Sequence, residues 1–311
     1  MAMVETGFFF PWEVQLLEWL QGHIGGAGIM IFQFFSLFGE ELLLALGLGA
    51  VYWSFQKKLG KTVGISVLNA VVWGSMCKDI VLRRRPYIDH ESIKILRPTN
   101  PEADLYDSVA QGYSFPSGHS ANSASLFGSL ALGLKKGWLT ALAIIIPLGT
   151  GISRLVLGAH YPTDVLGGWA LGMISVFLVS FLERKIKNPL LLDGLFILIL
   201  LPGFFYCKGS DFYTGAGLLI GFILGCHFEE RFVCFEDTRK PLAMILRLVG
   251  GLAVYMALNT LLKLPFSEEF LAGGSKASLL VRAARYMIVA FLDFGVYPAV
   301  FGIGKRKRQE V

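Results

Sequence analysis

Trp138–Leu157 reads WLTALAIIIPLGTGISRLVL and Thr163–Leu182 reads TDVLGGWALGMISVFLVSFL, with only Gly158-Ala159-His160-Tyr161-Pro162 between them. Each run is 20 residues long, and a helix that crosses a bilayer needs about 20 mostly apolar residues. Gly158 and Pro162 break the helix between them. The stretch therefore predicts two adjacent membrane helices with a histidine at their junction. Outward from it the same texture repeats. Seven further apolar runs are Glu41–Phe55, Thr62–Leu82, Ser120–Leu134, Leu190–Cys207, Thr214–Phe228, Leu242–Leu262 and Ser278–Ile303. The fold class expected is all-α, a polytopic transmembrane helix bundle of about nine spans. Ile29–Phe38 either extends the first run or forms a separate half-helix.

Composition agrees. Of 311 residues, 54% are hydrophobic and only 16% charged, with a mean hydropathy of +0.58; soluble domains run near ~25% charged. A disordered chain, a coiled coil and an ordinary cytosolic globule are excluded. The net charge of +5 lies in short clusters between apolar runs, which excludes a nucleic-acid stripe. Cys77, Cys207, Cys226 and Cys234 have no CxxC spacing, so neither a disulfide framework nor a thiolate metal site is indicated.

Three segments are expected along the chain: 1–39, an N-terminal interfacial segment; 40–188, a catalytic membrane core; and 189–311, C-terminal transmembrane helices. The start has neither the basic leader nor the small-residue cleavage site of a signal peptide. Pro11–Leu20 reads as an amphipathic helix whose Trp12 and Trp19 suit the membrane interface; a core helix in a cap is the alternative. Basic residues set the orientation. With Lys305–Arg308 inside, nine spans also place Lys57/Lys58/Lys61, Lys135/Lys136, Arg184/Lys185/Lys187 and Arg231/Arg239/Lys240 inside. The long loop from Arg83 to Phe115 is then extracytoplasmic. Gly217-x3-Gly221-x3-Gly225 and Gly168-x3-Gly172 allow close helix approach, within the bundle or across a homodimer. Arg247, Arg282, Arg285 and Asp293 are intramembrane charges that need partners, and Arg247 is the expected partner of Asp293.

Three polar segments fall on the outer face. Lys78 and Arg85-Pro86 are seven residues apart, nearly two helical turns, and so point to about the same side. Ser117-Gly118-His119 stands where a helix begins: Ser117 suits an N-cap, and the free amides of a helix start favour phosphate. Ser153-Arg154, His160 and Asp164 make the third. An Asp bonded to one imidazole nitrogen fixes the tautomer and frees the other nitrogen as nucleophile or base. Taken singly, each reads equally well as lipid-headgroup contact, capping or packing. Converged at one interface, three cations, two histidines, a carboxylate and a helix start suit phosphoryl transfer through a covalent intermediate. No Asp, Glu or Cys cluster has the spacing of a metal cage, so no metal or other cofactor is expected.

Lys78…Arg85-Pro86, Pro116-Ser117-Gly118-His119 and Ser153-Arg154…His160…Asp164 resemble, in order and without a missing position, the three motifs of the type 2 phosphatidic acid phosphatase superfamily. The resemblance covers roughly residues 40–185. It implies that His160 attacks phosphorus, Asp164 orients it and His119 protonates the leaving oxygen. Lys78, Arg85 and Arg154 would hold the phosphoryl oxygens, with Ser117 and Gly118 adding hydrogen bonds. It further implies a membrane lipid phosphate as substrate: phosphatidate, phosphatidylglycerophosphate, a sphingoid-base phosphate or a polyprenyl diphosphate. A luminal sugar-phosphate phosphatase and a non-catalytic lipid-phosphate carrier are the alternatives. The expected place is an integral membrane protein of the cell inner or plasma membrane, active site extracytoplasmic. Arg83 and Arg84 lie outside the motifs, with either contact to a second phosphate or plain interfacial charge expected.

Overall fold

The computed structural model describes residues 6–302. Its helices are α1 (Pro11–His23), α2 (Gly26–Leu37), α3 (Glu41–Ala50), α4 (Lys57–Val81), α5 (Pro86–Asp89), α6 (Ser108–Gln111), α7 (Gly118–Leu134), α8 (Gly137–Val156) and α9 (Pro162–Lys185). They continue as α10 (Pro189–Leu200), α11 (Gly203–Tyr206), α12 (Ser210–Phe228), α13 (Pro241–Leu261), α14 (Glu268–Ala272) and α15 (Lys276–Phe291). Among the described residues the only β-type pairing is an isolated parallel bridge between Thr6 and Arg83. The all-α membrane architecture stands. The cationic cluster Lys305–Arg308 lies outside the described residues.

Six helical stretches are long and apolar enough to cross a membrane: α4, α8, α9, α10 with α11, α12 with the π turn that follows it, and α13. The α2–α3 pair, bent by 49°, is a seventh if it forms one span. Two of the nine expected spans fall outside that count. Helix α7 has 17 residues, about 25 Å of rise, against about 30 Å of hydrocarbon. Helix α15 has 16 residues and carries Lys276, Arg282 and Arg285.

The chain forms two compact units. One comprises residues 1–44 and 73–178, the other residues 45–72 and 179–311. In the first, α1 buries Glu13 and Leu17 and exposes Trp12 and Trp19. Leu17 packs with Tyr87, Ile93, Leu155, Tyr161 and Val165. The amphipathic helix read from sequence is thus seated by an i, i+4 pair on the core that carries the junction between α8 and α9. Gly168 and Gly172 of α9 face the backbone of α7 at Ser117 and Ala121, where a Cβ would collide.

In the second unit, Gly217 and Gly221 of α12 meet the carbonyls of Ala283 and Met287 on α15 in the same way. Both glycine-lined faces are therefore occupied within the chain. These glycines thus serve packing within each unit, the first of the two readings. Arg247 donates to the carbonyls of Trp53 (2.5 Å) and Glu236 (3.0 Å) and lies over the Phe301 ring. It does not pair with Asp293, whose buried Oδ1 has no hydrogen-bond partner among the described residues.

Candidate active site

Helix α4 stops at Val81. Leu82 takes a left-handed conformation (φ 52°) and turns the chain, and Thr6 then binds both sides of Arg83: Thr6 N donates to Leu82 O and Arg84 N to Thr6 O, each at 3.0 Å. Arg85 is extended, as the following Pro86 requires, and Pro86 opens α5. Its buried guanidinium donates from Nε to Gly112 O (2.7 Å) and from Nη1 to Ala159 O (3.1 Å), with Nη1 3.5 Å from His160 Nε2.

Ser117 caps α7 as its type predicts, its Oγ accepting from Ser120 N at 3.4 Å. Its own N–H donates to Asp164 O at 2.9 Å, tying the start of α7 to the start of α9. Nothing lies within 4 Å of where a Cβ on Gly118 would stand, so the helix start is open there. His119 is half-buried and sits against Gly39, in the bend between α2 and α3. It is within electrostatic reach of Arg154, His160, Arg85 and Lys78.

Helix α8 ends with Arg154, 3% exposed, whose Nη1 donates to Ser36 Oγ at 2.8 Å. No carboxylate pairs with it among the described residues, and its Nε has no partner. A buried guanidinium without a counter-charge is costly unless an anion is supplied. Gly158 (φ +72°) closes the helix against the backbone of Lys94, and His160 follows, 2% exposed. Burial first, then the charges of Arg85, Arg154 and Lys78, hold the imidazole of His160 well below its ordinary range. The neutral ring is therefore the favoured form.

Asp164 is fully buried. Its Oδ2 accepts from Ser114 Oγ (2.5 Å) and Tyr161 N (2.8 Å), and its Oδ1 pairs with Arg83 Nη1 (2.7 Å). His160 Nδ1 is 3.7 Å from Oδ2 and 3.3 Å from Ser114 Oγ. The serine hydroxyl therefore bridges a pair that the sequence reading placed in direct contact. The sequence does not single out Ser114; its place two residues before Pro116 is the only signal.

All eight expected residues thus belong to one unit, and those around His160 converge: Arg85 by contact, Arg154, Lys78 and His119 by charge, Asp164 through Ser114. Ser117 and Gly118 join through the α7–α9 tie. Arg83 and Arg84 do something else. Arg83 is fully buried between Glu13 and Asp164, and Arg84 pairs with Asp89 at 2.7 Å. Contact of Arg83 with a second phosphate is ruled out by that burial, and so is plain interfacial charge. No group of three or more His, Cys, Asp or Glu suited to a metal ion occurs among the described residues.

A buried neutral imidazole facing three cations, beside a second histidine and an open helix start, is equipped to receive a phosphoryl group and hold its charge. The family comparisons point the same way. Residues 60–187 match the PAP2 superfamily, and residues 213–307 match the family described as PAP2 superfamily phosphatase, transmembrane extension. The chain is 31% identical over 163 residues to an undecaprenyl-diphosphatase of Sulfolobus acidocaldarius, covering 52% of this chain and 70% of that protein. It belongs to the PAP2 superfamily. Other similar proteins are a phosphatidylglycerophosphatase B of Bacillus subtilis (42% over 85 residues, 24% of this chain and 42% of that protein) and a lipid A 4'-phosphatase of Bacteroides thetaiotaomicron (34% over 105 residues, 32% and 47%). The chain thus spans less than half the length of these two relatives. No solved structure matches it significantly.

Proposed function

We propose that this membrane protein of the PAP2 superfamily is a phosphatase that hydrolyses an amphiphilic lipid phosphate, monoester or diphosphate, through a phosphohistidine on His160. The observation that carries the reading is the setting of His160. Its Nδ1 side is taken up by Ser114 and, behind it, Asp164, while Nε2 stands 3.5 Å from Arg85 and within reach of Arg154 and Lys78. Ser114 Oγ donates its proton to Asp164, so it accepts from His160 Nδ1–H. That tautomer leaves Nε2 unprotonated, facing Arg85 Nη1 at 3.5 Å.

Nε2 attacks phosphorus, and the bond from phosphorus to the leaving oxygen breaks. Burial, then Arg154, His160, Arg85 and Lys78, hold the His119 ring below its ordinary range in the ligand-free site; the bound phosphate anion offsets those cations, and His119, protonated in that complex, gives its proton to that oxygen. Lys78, Arg85 and Arg154 hold the equatorial oxygens, and the helix start at Ser117–Gly118 adds amide donors. Water then attacks the phosphohistidine, His119 takes its proton, and inorganic phosphate leaves with His160 restored. Donors of this kind are each worth about 3 kcal/mol of barrier. The named relatives act on undecaprenyl diphosphate, phosphatidylglycerophosphate and lipid A, which supports a lipid-linked phosphate here. The basic clusters of the sequence support an extracytoplasmic site, with the chain in the cell inner or plasma membrane.

The test is phosphate release from a panel of lipid and sugar phosphates in detergent, wild type against His160→Ala, with EDTA present. Release by wild type alone supports the reading. Equal release by both proteins, or release by neither, sinks it.

A further inference from the structure

Behind Asp164 lies a buried chain of charges that no motif contains. Arg83 is fully buried, and its guanidinium is used on every side. Nη1 donates to Asp164 Oδ1 and to Thr163 Oγ1, each at 2.7 Å. Nη2 donates to Glu13 Oε2 at 2.7 Å, and Nε to Phe8 O at 3.0 Å. The faces of the guanidinium lie on the rings of Tyr161 (4.1 Å) and Phe8 (4.5 Å). Glu13 is fully buried too. Its Oε1 accepts from Thr163 N (3.0 Å) and Thr163 Oγ1 (2.6 Å), and its Oε2 also accepts from Phe10 N (2.9 Å). A carboxylate on α1 thus caps the first turn of α9, the turn that carries Asp164.

We infer that Arg83 and Glu13 are positioning residues for the reaction: Arg83 holds Oδ1 of Asp164 so that Oδ2 is aimed at Ser114, and Glu13 fixes Arg83. The inference rests on the reading of His160 as nucleophile. A guanidinium at 2.7 Å favours the charged carboxylate. A charged Asp164 holds the Ser114 proton on its own side, and the Ser114 oxygen then faces His160 Nδ1–H. Remove Arg83, and Tyr161 N alone is left to hold the carboxylate that sets the direction of the serine proton and the tautomer of the ring. Bulk packing needs no such arrangement, because buried ion pairs seldom outperform apolar side chains of similar volume. The first turn of an interfacial helix is in this way wired to the nucleophile through Glu13, Arg83, Asp164 and Ser114.

The experiment compares wild type, Arg83→Gln, Arg83→Lys and Glu13→Gln, each purified in detergent and checked by thermal unfolding. Hydrolysis of a short-chain phosphatidate and the 15N spectrum of histidine-labelled protein are both recorded. For Arg83→Gln, kcat should fall about 10- to 100-fold, the range seen when the shell behind a reacting ligand is altered, with KM little changed. Arg83→Lys should recover part of the loss, and Glu13→Gln should lie between. The His160 resonances should show one tautomer in wild type and a mixture in Arg83→Gln. Raised KM at constant kcat would overturn the inference, because Arg83 would then bind substrate. Wild-type kcat in a folded Arg83→Gln protein would also overturn it. So would a loss that follows unfolding alone with the tautomer unmoved. If wild type itself releases no phosphate, the reading of the nucleophile fails, and the spectra still decide whether Arg83 sets the ring.

Discussion

His160 Nδ1 lies 3.7 Å from Asp164 Oδ2, and the hydroxyl of Ser114 stands in between, 3.3 Å from the ring nitrogen and 2.5 Å from the carboxylate. The acid that orients the nucleophile acts through a relay. Ser114→Ala removes the relay and leaves Asp164 Oδ2 with Tyr161 N alone. Loss of a buried hydrogen bond of this kind costs about 1–3 kcal/mol, so kcat should drop roughly 10- to 100-fold. Ser114→Thr keeps the hydroxyl and should retain more activity. Saturating kinetics on both variants check this; a Ser114→Ala enzyme as fast as wild type would mean the hydroxyl is idle.

Arg154 makes a second prediction, on stability. It is buried, bonded to Ser36 and salt-bridged to no carboxylate among the described residues. Such a charge burdens the ligand-free protein and is relieved when an anion binds. Arg154→Met should therefore unfold at a higher temperature than wild type in the absence of phosphate. Orthovanadate or phosphate should raise the unfolding temperature of wild type and leave that of the variant nearly unchanged. The same variant should show a raised KM. Thermal unfolding with and without the anion reads both effects, and a lower ligand-free transition in Arg154→Met would contradict the account.

The pH profile follows from His160. Burial, then Arg85, Arg154 and Lys78, push its proton affinity down. The ring loses its proton more readily than a free histidine, so the nucleophile stays neutral below pH 6.5. The acid limb of kcat/KM assigned to the nucleophile should lie below that value. In Lys78→Met one cation is gone, and the limb should move up toward 6.5, with the substrate's own ionisation common to both enzymes. Stability has the same direction: as pH falls through 6.5 the unfolded chain takes up a proton that the folded ring resists, so folding weakens. An acid limb that does not move in Lys78→Met would show that the cations do not govern the ring.

Much of this site was legible because its residue types announce their chemistry. A Ser-Gly-His at a helix start, a lysine two turns before Arg-Pro, and a histidine between two apolar runs carry meaning in one dimension. Hydropathy fixed the membrane class for the same reason. What stayed hidden depends on chain direction in space. Arg83 and Arg85 are two residues apart, yet one faces Glu13 and the other His160, because Leu82 adopts a left-handed turn that apolar residues rarely announce. Glu13 looked like one charge on an amphipathic helix, since nothing local says that α1 docks its Glu13–Leu17 face inward. The span count was blurred at α7, whose serines and asparagine break its apolar run, at the short, cationic α15, and at the bend between α2 and α3.

That bend carries the last prediction. Gly39 sits where a Cβ would lie 2.6 Å from the Cβ and 2.8 Å from the carbonyl oxygen of His119, and its own carbonyl accepts from Asn122 Nδ2 at 3.0 Å. The break between α2 and α3 is thus pressed against the proposed acid, on the first turn of α7. A side chain there cannot be accommodated by a rotamer change, because backbone atoms are among those it meets. Gly39→Ala should cost about 1–3 kcal/mol of stability by overpacking, and Gly39→Val more. The displacement would fall on His119, whose work is proton transfer to the leaving oxygen. The loss in kcat should accordingly be larger for substrates with a poor leaving group, such as an alkyl phosphate, than for an aryl phosphate that needs no proton. Parallel kinetics on the two substrate types check this. An equal loss on both would place the damage in phosphate binding rather than in the acid.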